Sequence, residues 1–413
     1  MIASLFAGIT GLNANATAMR VIGDNIANVN TTAYKSNRAS FANILSTSLG
    51  GETALRSVGR GVRFWDATTQ WSQGSLENTA SPTDLAINGK GFFVVKDPSG
   101  SPLYTRAGQF HFDKNGYLIS PDGLKLQGYA VDTLGNRGDL TDVVIPGDRV
   151  APPLATTKMT FATNLNSNSE QGQSFSTFQS VYDSLGNAIP LTLTFTRGAT
   201  AGSWTVAGSI PASAGTAVTF NGDTLTSVPV TFDDDGVMTA PGADVTVRLH
   251  LDNGAADPLD VEWDLYDDDG IASGDLTGYA SASVTTFQSQ NGYPSGSLRG
   301  VSVGEDGFVT AAYSNGELVP MYLLALADFP SYDGLTKMGQ NLYAESLMSG
   351  QALLGTSGSG RLGTLSPSSL ELSNVDLAEE FVKMITTQRA FQASSKVITS
   401  SDEILQELMN IKR

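Results

Sequence analysis

The first 30 residues have apolar positions at helical spacing. One seam with heptad spacing contains Ile2, Leu5, Ile9, Leu12 and Met19. Arg20 and Asp24 are the charged residues of this segment, and alanines cover much of the remaining surface. A helix that is apolar or small on nearly every side must be buried on nearly every side. The pattern therefore predicts an N-terminal helix with partners on more than one face.

The last 40 residues show the same kind of pattern. One seam contains Leu377, Phe381, Met384, Phe391, Ile398, Leu405 and Met409, and a second stripe contains Val382, Ile385, Val397, Ile404, Leu408 and Ile411. We predict a helix from about Val375 to Ile411, with Ser373, Asn374 or Asp376 as its N-terminal cap. Two terminal helices that pair shield one seam each, so the second stripe stays uncovered. Other copies of the chain are the expected cover, and a helical lid on the chain's own β-domain is the alternative.

Between the helices the pattern favours strands and tight turns. Asn-Gly and Asp-Gly dipeptides, which are typical of β-hairpins, occur at 88–89, 115–116, 122–123, 221–222, 253–254, 291–292 and 315–316. Strand-like runs occur at 92–95, 117–119, 191–195, 245–251, 261–265 and 321–326. Two turns, 131–136 and 182–187, share the pattern Asp-x-Leu-Gly-Asn. We therefore expect an α+β chain that is mainly β, with nested β-domains and N- and C-terminal helices paired as a coiled coil.

Charge is unevenly distributed along the chain. Residues 149–288 contain 16 acidic and four basic residues, a balance of −12 in a chain whose net charge is −17. We interpret this segment as an inserted acidic β-domain. The other parts then follow a nested order: a discontinuous β-domain of 72–148 with 289–364, a helical coiled-coil domain of 1–35 with 370–413, and connecting segments 36–71 and 365–369.

The composition excludes several kinds of site. The 413 residues include no cysteine and two histidines, which excludes disulfides, thiolate metal sites and centres with several histidines. The acidic net charge lacks the basic surface that nucleic acids require, so we expect no nucleic-acid partner. The apolar stretch 318–327 contains Pro320 and is too short to span a membrane, so we expect no membrane insertion. No positive charge precedes the apolar N-terminus, so we expect export without a cleaved signal peptide.

Three motifs invite a chemical interpretation: the carboxylates Asp260, Glu262 and Asp264, the acidic turns 233–236 and 267–270, and the glycine-rich segment 358–363. The carboxylates share one face of a predicted strand, at a spacing that matches the catalytic carboxylates of some glycosidases. Apolar residues alternate with them, however, as expected for a strand with one solvent-exposed face. The acidic turns lack the ligand positions of a calcium-binding loop. The glycines lack the strand and helix of a dinucleotide site. We expect no enzyme activity, metal or cofactor, and a carbohydrate enzyme is the weaker alternative.

Both ends of the chain resemble a known family. The segments 27–35 and 384–396 resemble the terminal signatures of bacterial flagellar rod and hook proteins, and the positions taken as the family motif are Ala27, Asn28, Asn30, Thr31, Tyr34, Lys35, Gln388 and Arg389. Shorter matches lie at 73–76, 84–89, 91–93, 105–108 and 116–118. The segment 181–187, followed by Leu191 and Thr192, resembles the middle domain of the hook members. We therefore expect a hook subunit.

This resemblance implies a structural role. Hook subunits assemble head to tail into a hollow, curved helical tube with the terminal helices inside, and the tube acts as a universal joint that transmits torque from rod to filament. The implied partners are further copies of the chain, the flagellar rod, the hook–filament junction proteins, the hook cap and the flagellar type III export apparatus. The implied location is the extracellular hook of the flagellum. The seam residues of both helices are then the expected assembly interface, and the alternatives are a distal rod subunit and a secreted β-rich adhesin.

Overall fold

Two α-helices lie at the ends of the chain. The computed structural model describes residues 2–44, 47–48, 57–58, 60–132, 136–267 and 271–411. Helix α1 spans Ile2–Ala27 and helix α2 spans Leu377–Ile411, close to the predicted bounds. Asp376 is the N-terminal cap of α2, because its Oδ1 accepts hydrogen bonds from the backbone N–H groups of Ala378 and Glu379 at 2.8 and 3.2 Å.

Strands account for most of the ordered structure between the helices. Numbered β1 to β33 in chain order within the described ranges, they are Asn37–Asn43, Thr47–Ser48, Ser57–Val58, Val62–Thr69, Leu76–Asn78, Leu85–Asn88, Phe92–Lys96, Pro102–Thr105, His111–Phe112, Leu118–Ile119, Lys125–Val131, Arg137–Asp142, Val150–Ala151, Lys158–Asn164, Ser174–Tyr182, Ala188–Arg197, Ser203–Ser209, Gly215–Phe220, Ser227–Phe232, Met238–Ala240, Val245–Leu251, Leu259–Trp263, Leu276–Thr277, Val284–Gln290, Gly296–Val303, Phe308–Tyr313, Leu318–Leu324, Leu326–Asp328, Thr336–Gly339, Leu342–Ala344, Leu353–Gly355, Thr364–Pro367 and Ser369–Glu371. The prediction of a mainly β chain with terminal helices in contact is confirmed.

The chain divides into two compact units. The larger unit comprises residues 1–147, 300–311 and 318–413, and the smaller unit comprises 148–299 and 312–317. The larger unit therefore contains both helices, and the smaller unit contains the acidic segment.

An antiparallel sheet forms the centre of the larger unit. Strands β27, β11, β7, β8, β30 and β29 are hydrogen-bonded neighbours in that order. Aromatic side chains pack on this sheet, with Phe92 edge-to-face against Phe329 at 5.9 Å and against Trp71 at 5.6 Å between ring centroids. Distant segments also meet here, since β33 pairs with β5 and β32 pairs with β6. The beginning and the end of the chain are thus joined in one unit.

The smaller unit has two sheets around one core. One sheet has the strand order β15, β16, β17, β19 and β20, and the other has β18, β21, β22, β14 and β23, with β24 beside β14. Leu191, Leu193 and Phe195 of β16 are fully buried, which confirms the predicted alternation. Phe195 packs against Trp263 of the other sheet at 6.1 Å between ring centroids. The two sheets therefore share their apolar faces.

Aspartate side chains close several turns in the same way. Asp183 Oδ1 accepts hydrogen bonds from Leu185 N at 2.9 Å and Asn187 N at 2.8 Å, and Oδ2 accepts one from Asn187 Nδ2 at 2.9 Å. Asp132 accepts the same two bonds from Asn136 at 2.7 and 3.0 Å. The shared sequence pattern thus produces the same turn closure, although residues 133–135 themselves lie outside the described residues.

An additional hairpin lies in the segment 36–71, to which the sequence pattern assigned no element. Strands β1 and β4 pair antiparallel, with a register shift between Ser40 and Phe41. Val62 N donates a hydrogen bond to Thr10 Oγ1 of α1 at 3.3 Å, which ties the hairpin to that helix. Trp65 is 62% exposed and stacks on Arg63, whose guanidinium lies 4.5 Å from the ring centre. Neither strand has a buried face, so apolar and polar residues do not alternate in the way that predicts a strand.

Candidate assembly interface

The terminal helices pack antiparallel through small side chains. The hydroxyls of Ser4 and Ser401 are 3.4 Å apart near one end, and Asn25 Nδ2 donates a hydrogen bond to Glu380 Oε2 at 3.2 Å near the other. At Gly8, an added Cβ would lie 2.9 Å from the Cγ1 atom of Ile398. The helix axes approach closely because glycine and serine occupy the contact.

The most buried face of α1 is not its heptad seam. Its buried hydrophobic residues and its buried amide are Ala14, Ala18, Ile22 and Asn25. On the seam, Leu5, Leu12 and Met19 are half-buried and Ile9 is exposed. The side chain of Ile2 lies outside the described residues. Pairing with α2 therefore leaves apolar surface on α1 open to solvent.

Helix α2 has a larger uncovered apolar face. Of its predicted seam, Met384, Phe391, Ile398 and Leu405 are half-buried, whereas Leu377, Phe381 and Met409 are exposed. In the second stripe, Val382, Ile385, Val397 and Ile404 are 62, 51, 45 and 50% exposed, and the side chains of Leu408 and Ile411 lie outside the described residues. A run of large apolar side chains in water is the usual mark of an interaction surface.

A buried cluster of charges joins the helical ends to the β-sheet. Lys35 Nζ lies 2.6 Å from Glu371 Oε1, and Arg106 NH2 lies 2.9 Å from Glu371 Oε2. The side chains of Lys35 and Glu371 are 1 and 0% exposed. Because these residues lie 336 positions apart in the sequence, the cluster ties the start of the chain to its end. We call Lys35, Arg106 and Glu371 the charged junction.

Backbone groups complete the hydrogen bonding of the charged junction. Gly74 N donates to Glu371 Oε1 at 2.9 Å, and Lys35 Nζ donates to Ser72 O at 2.8 Å. Arg106 NH1 donates to two further carbonyls at 2.8 and 2.7 Å. Burial lowers the pKa of Lys35, and the charge of Glu371 opposes that shift. Each charge of the junction is thus paired and hydrogen-bonded, the condition under which buried charges are tolerated.

The family-motif residues after α1 form the turn that leads to this junction. Ala27 ends the helix, Asn28 Nδ2 donates to Asp24 O at 2.9 Å, and Thr31 Oγ1 donates to Asn28 Oδ1 at 3.1 Å. The remaining motif positions are Asn30, which is exposed, Tyr34, whose OH donates to Asn25 Oδ1 at 3.4 Å, and Lys35. Burial raises the pKa of Tyr34. The motif therefore shapes a chain reversal.

The motif residues Gln388 and Arg389 are not part of that turn. Both are exposed on α2. The structure therefore separates the eight motif positions into a turn beside the charged junction and a pair on the outer surface of a helix.

Sequence reasoning missed the partners that complete the charged junction. Arg106 lies in a segment matched to the family, but no role was assigned to it, and Glu371 was not singled out. The sequence did offer one indication of a buried charge, because Glu371 lies between Leu370 and Leu372 at the end of a short strand. Asn25 was also missed, although its buried amide connects α2, Tyr34 and the backbone of Asn37.

The carboxylates considered for catalysis are held in surface ion pairs. Asp260 pairs with Arg248 at 2.7 Å, and Lys158 lies 3.1 Å from Asp264 and 4.0 Å from Glu262. In the acidic turn that begins at Asp233, backbone N–H groups bond its carboxylate, and residues 268–270 of the second acidic turn lie outside the described residues. Within the described ranges, no group of three or more metal-ligating side chains comes together. Neither α1 nor α2 is both long and apolar enough to cross a membrane.

Four family models match successive parts of the chain. They are described as "Flagella basal body rod protein" at residues 5–35, "Flagellar hook protein FlgE/F/G D1 domain" at 86–164, "Flagellar basal body protein FlaE D2 domain" at 149–293 and "Flagellar basal body rod FlgEFG protein C-terminal" at 366–411. The two terminal matches contain the motif residues, all of α2 and all of α1 after Ser4.

Individual relatives match over their whole length. The chain is 34% identical to the flagellar hook protein FlgE of Treponema pallidum, with 100% of both chains covered, and 34% identical to that of Salmonella typhimurium, with 98% of both covered. The crystal structure of the Helicobacter pylori flagellar hook protein FlgE2 superposes with a TM-score of 0.50 at 16% identity, covering 71% of this chain and 100% of that one. This last match is evidence for the fold alone. The identities over the full length show that the chain belongs to the flagellar hook protein FlgE family.

Proposed function

We propose that this chain assembles head to tail into the hollow, curved helical tube of a flagellar hook, which transmits torque as a flexible joint. The observation that supports this proposal is the exposed apolar face of α2. Helix α1 covers the side of α2 that contains Ser394 and Ile398, and leaves Phe381, Val382 and Ile385 in water. Covering this face with helices of neighbouring copies removes it from water.

A helical polymer is favoured over a closed dimer. The exposed stripes lie on two different helices, so the surfaces that meet need not be identical. An interface between two different surfaces continues indefinitely unless its rotation closes a ring. Each large side chain that becomes fully buried contributes about 1.5–3 kcal/mol. Several such side chains in each copy are enough to drive assembly.

The division into two units supports the flexible part of the proposal. In the acidic unit, ion pairs such as Lys158 with Asp264 and Arg248 with Asp260 lie on the surface. Contacts made by such surfaces between copies are wet and sensitive to salt. We infer that the helices hold the tube together while the acidic units slide as it bends.

The flagellar rod, the hook–filament junction proteins, the hook cap and the type III export apparatus are the partners that we propose from family membership. We also propose that the chain has no catalytic role. Its exposed carboxylates are paired with cations at the surface, and this arrangement is typical of a solvated sheet face.

Imaging the polymer that the purified chain forms tests this function. We expect curved tubes by electron microscopy. Straight rods would instead favour a distal rod subunit, and a chain that stays monomeric at high concentration would contradict assembly and favour the adhesin alternative.

The substitution Ile385→Asp tests the surface that supports the proposal. We expect it to abolish polymer while the β-sheet circular dichroism signal is unchanged, because Ile385 is 51% exposed in the single chain. Asn168→Asp, an exposed position of the acidic unit, changes the charge equally and is the matched control. Normal tubes from Ile385→Asp would contradict the role of this face.

A further inference from the structure

A tight turn of the larger unit has two adjacent apolar side chains that are exposed to solvent. Leu347 and Met348 are 104 and 82% exposed, the highest values among the exposed large hydrophobic residues that the structure describes. They lie between Ser346 and Ser349, and we call residues 346–349 the apolar turn. Single exposed apolar residues are common, but two adjacent ones that are both more than 80% exposed on a folded turn are not explained by the fold itself.

Hydrogen bonds hold the apolar turn in one shape. Ser349 Oγ accepts a bond from Ser346 N at 2.8 Å and donates one to Ser346 O at 3.0 Å. Ser346 Oγ donates to Gly334 O at 2.6 Å and accepts a bond from Met348 N at 3.0 Å. The serines therefore fix the backbone and direct the two apolar side chains away from the unit.

The segment beneath the turn leaves no room for it to move inward. A Cβ added to Gly334 would collide with the backbone of Met348 and Ser349, and one added to Gly350 would lie 3.0 Å from the ring of Pro330. A side chain held on a rigid support loses little conformational entropy when a partner covers it. This is the property of an anchor residue in an interface.

The surroundings of the turn indicate which kind of partner fits. Residues 346–360 contain no charged side chain, although the chain has a net charge of −17. Copies of one acidic chain repel each other, and their repulsion is weakest where an uncharged surface makes the contact. Leu353 and Leu354, at 58 and 43% exposure, extend the apolar character of this stretch. A cationic partner, by contrast, gains nothing from an uncharged surface.

We propose that the apolar turn docks against a second copy of this chain in the polymer, as a contact between β-domains that adds to the helix contacts. The proposal rests on the proposed function, since it needs a neighbouring copy. In the tube, Leu347 and Met348 leave water and lie against the neighbour.

The first test is the double substitution Leu347→Ser with Met348→Ser in the full chain. We expect the lowest concentration that supports polymer to rise on the order of tenfold, the factor that corresponds to 1.4 kcal/mol. The near-ultraviolet circular dichroism of the aromatic cluster of Trp71, Tyr332 and Tyr343 reports on folding, because the Tyr332 and Tyr343 ring centroids lie 5.5 and 5.2 Å from that of Trp71. An unchanged concentration with an intact spectrum would overturn the proposal.

Leu185→Ser is the matched control for loss of exposed apolar surface. Leu185 is 57% exposed at a turn of the acidic unit. We expect its substitution to leave the polymerisation concentration within twofold of the unsubstituted chain. An equal rise in both variants would show a general effect of surface hydrophobicity and would also overturn the specific contact.

A site-specific probe gives a second readout that does not depend on loss of assembly. The chain has no cysteine, so Met348→Cys provides a single attachment point for an environment-sensitive fluorophore. We expect a blue shift and protection from iodide quenching when the labelled chain joins polymer. The control carries the same label at Lys114→Cys, in an exposed turn of the larger unit, and shows how polymerisation changes the fluorescence of a label outside the apolar turn.

Equal quenching at position 348 before and after assembly would refute docking of the turn. Absence of polymer from the unlabelled, unsubstituted chain would instead refute the proposed function.

Discussion

Glu371 is the residue on which the charged junction depends. It accepts hydrogen bonds from Lys35 and Arg106, which belong to different segments of the chain, and it is completely buried. Desolvation of three charges is tolerated here because each is paired and hydrogen-bonded. Removal of the one carboxylate would leave two buried cations without a counter-charge, an arrangement far less stable than the original group.

The substitution Glu371→Gln is therefore expected to lower the free energy of unfolding of the larger unit strongly. Loss of one partner from a buried ion pair costs about 3–5 kcal/mol. Urea unfolding followed by helical circular dichroism measures the change, because both helices lie in the larger unit. Glu379→Gln removes a carboxylate that is 66% exposed beside Lys383 and is the control, with an expected cost of about 1 kcal/mol or less. A cost for Glu371→Gln no larger than that of the control would contradict a stabilising junction.

Asp183 makes the stability of the acidic unit dependent on pH. Burial acts to raise its pKa, but hydrogen bonds from Asn187, Asn253 and the backbone outweigh burial, and the pKa is lowered overall. The ionised carboxylate therefore stabilises the folded state above the unfolded pKa of about 3.9, and this contribution is lost as the pH falls through the lower folded value.

We expect Asp183→Asn to destabilise the acidic unit by about 1.5–3 kcal/mol at pH 7, the range for hydrogen bonds to a charged group. The difference from the unsubstituted chain should shrink as the pH falls below 4, because Asp183 itself then becomes protonated. Urea unfolding at several pH values measures this. Asp234→Asn, at an exposed position of the same unit, is the control. A difference that stays constant with pH would contradict the assignment.

At this scale, the sequence predicts the residues of a motif better than their partners. Lys35 belongs to the family motif, which is recognised from neighbouring residues in the sequence. Glu371 has no such pattern, because its role arises only when a segment 336 residues away folds against it.

At the scale of elements, the contact between the two helices is made by small residues. Gly8 and Gly11 face Ser394 of α2, and Gly8 also faces Ile398. Hydrophobic periodicity predicted both helices and their pairing, since large apolar residues recur at helical spacing. It did not predict the face used within the chain, because glycine and serine add nothing to a hydrophobic pattern. Ile398 is the seam residue that takes part in this contact, whereas Ile9 of α1 and Leu377 and Phe381 of α2 remain exposed.

Substitutions of two glycines in α1 distinguish packing from helix propensity. Gly8→Val is expected to separate the helices and lower thermal stability, since even a Cβ would approach Ile398 Cγ1 to 2.9 Å. At Gly23 nothing lies within 4 Å of an added Cβ, so Gly23→Ala should stabilise α1 by about 0.5–1 kcal/mol. Thermal unfolding monitored by helical circular dichroism measures both. Equal effects of the two substitutions would contradict a close helix contact at Gly8.

Strands were predicted well where one face is buried and poorly where none is. The alternation in β16 is exact in burial, with Leu191, Leu193 and Phe195 inside. The hairpin of β1 and β4 lacks such a face, and Trp65 and Phe41 are exposed on it. The hairpin contacts α1, where Val62 N donates a hydrogen bond to Thr10 Oγ1, and local sequence does not reveal a contact with a distant segment.

At the scale of the whole molecule, the chain leaves the larger unit at residue 147 and returns to it at residue 300. Acidic residues concentrate in this part of the chain, and the interpretation of residues 149–288 as an inserted domain stays a prediction. The local sequence pattern did not predict that residues 312–317 also belong to the smaller unit, because their assignment depends on contacts that form only in the folded chain.

Removal of residues 153–294, replaced by a short glycine-containing turn, is expected to leave polymerisation possible and to alter the curvature or stiffness of the tube. This cut keeps β13 and β25, which pair at Ala151 and Gly296, so the closing turn joins neighbouring strands. Electron microscopy of the polymer measures curvature. Complete loss of polymer from a variant whose larger unit is folded would contradict the division of roles between helices and acidic unit.

The distance along the chain between the members of the charged junction also sets an order of events. A ribosome makes Lys35 and Arg106 long before it makes Glu371, so an incomplete chain holds two cations with no anion to neutralise them. Burying that pair alone is unfavourable, so the junction closes only when the segment that carries Glu371 is present. The presence of this late segment, rather than the formation of the first helix, is the condition for closure.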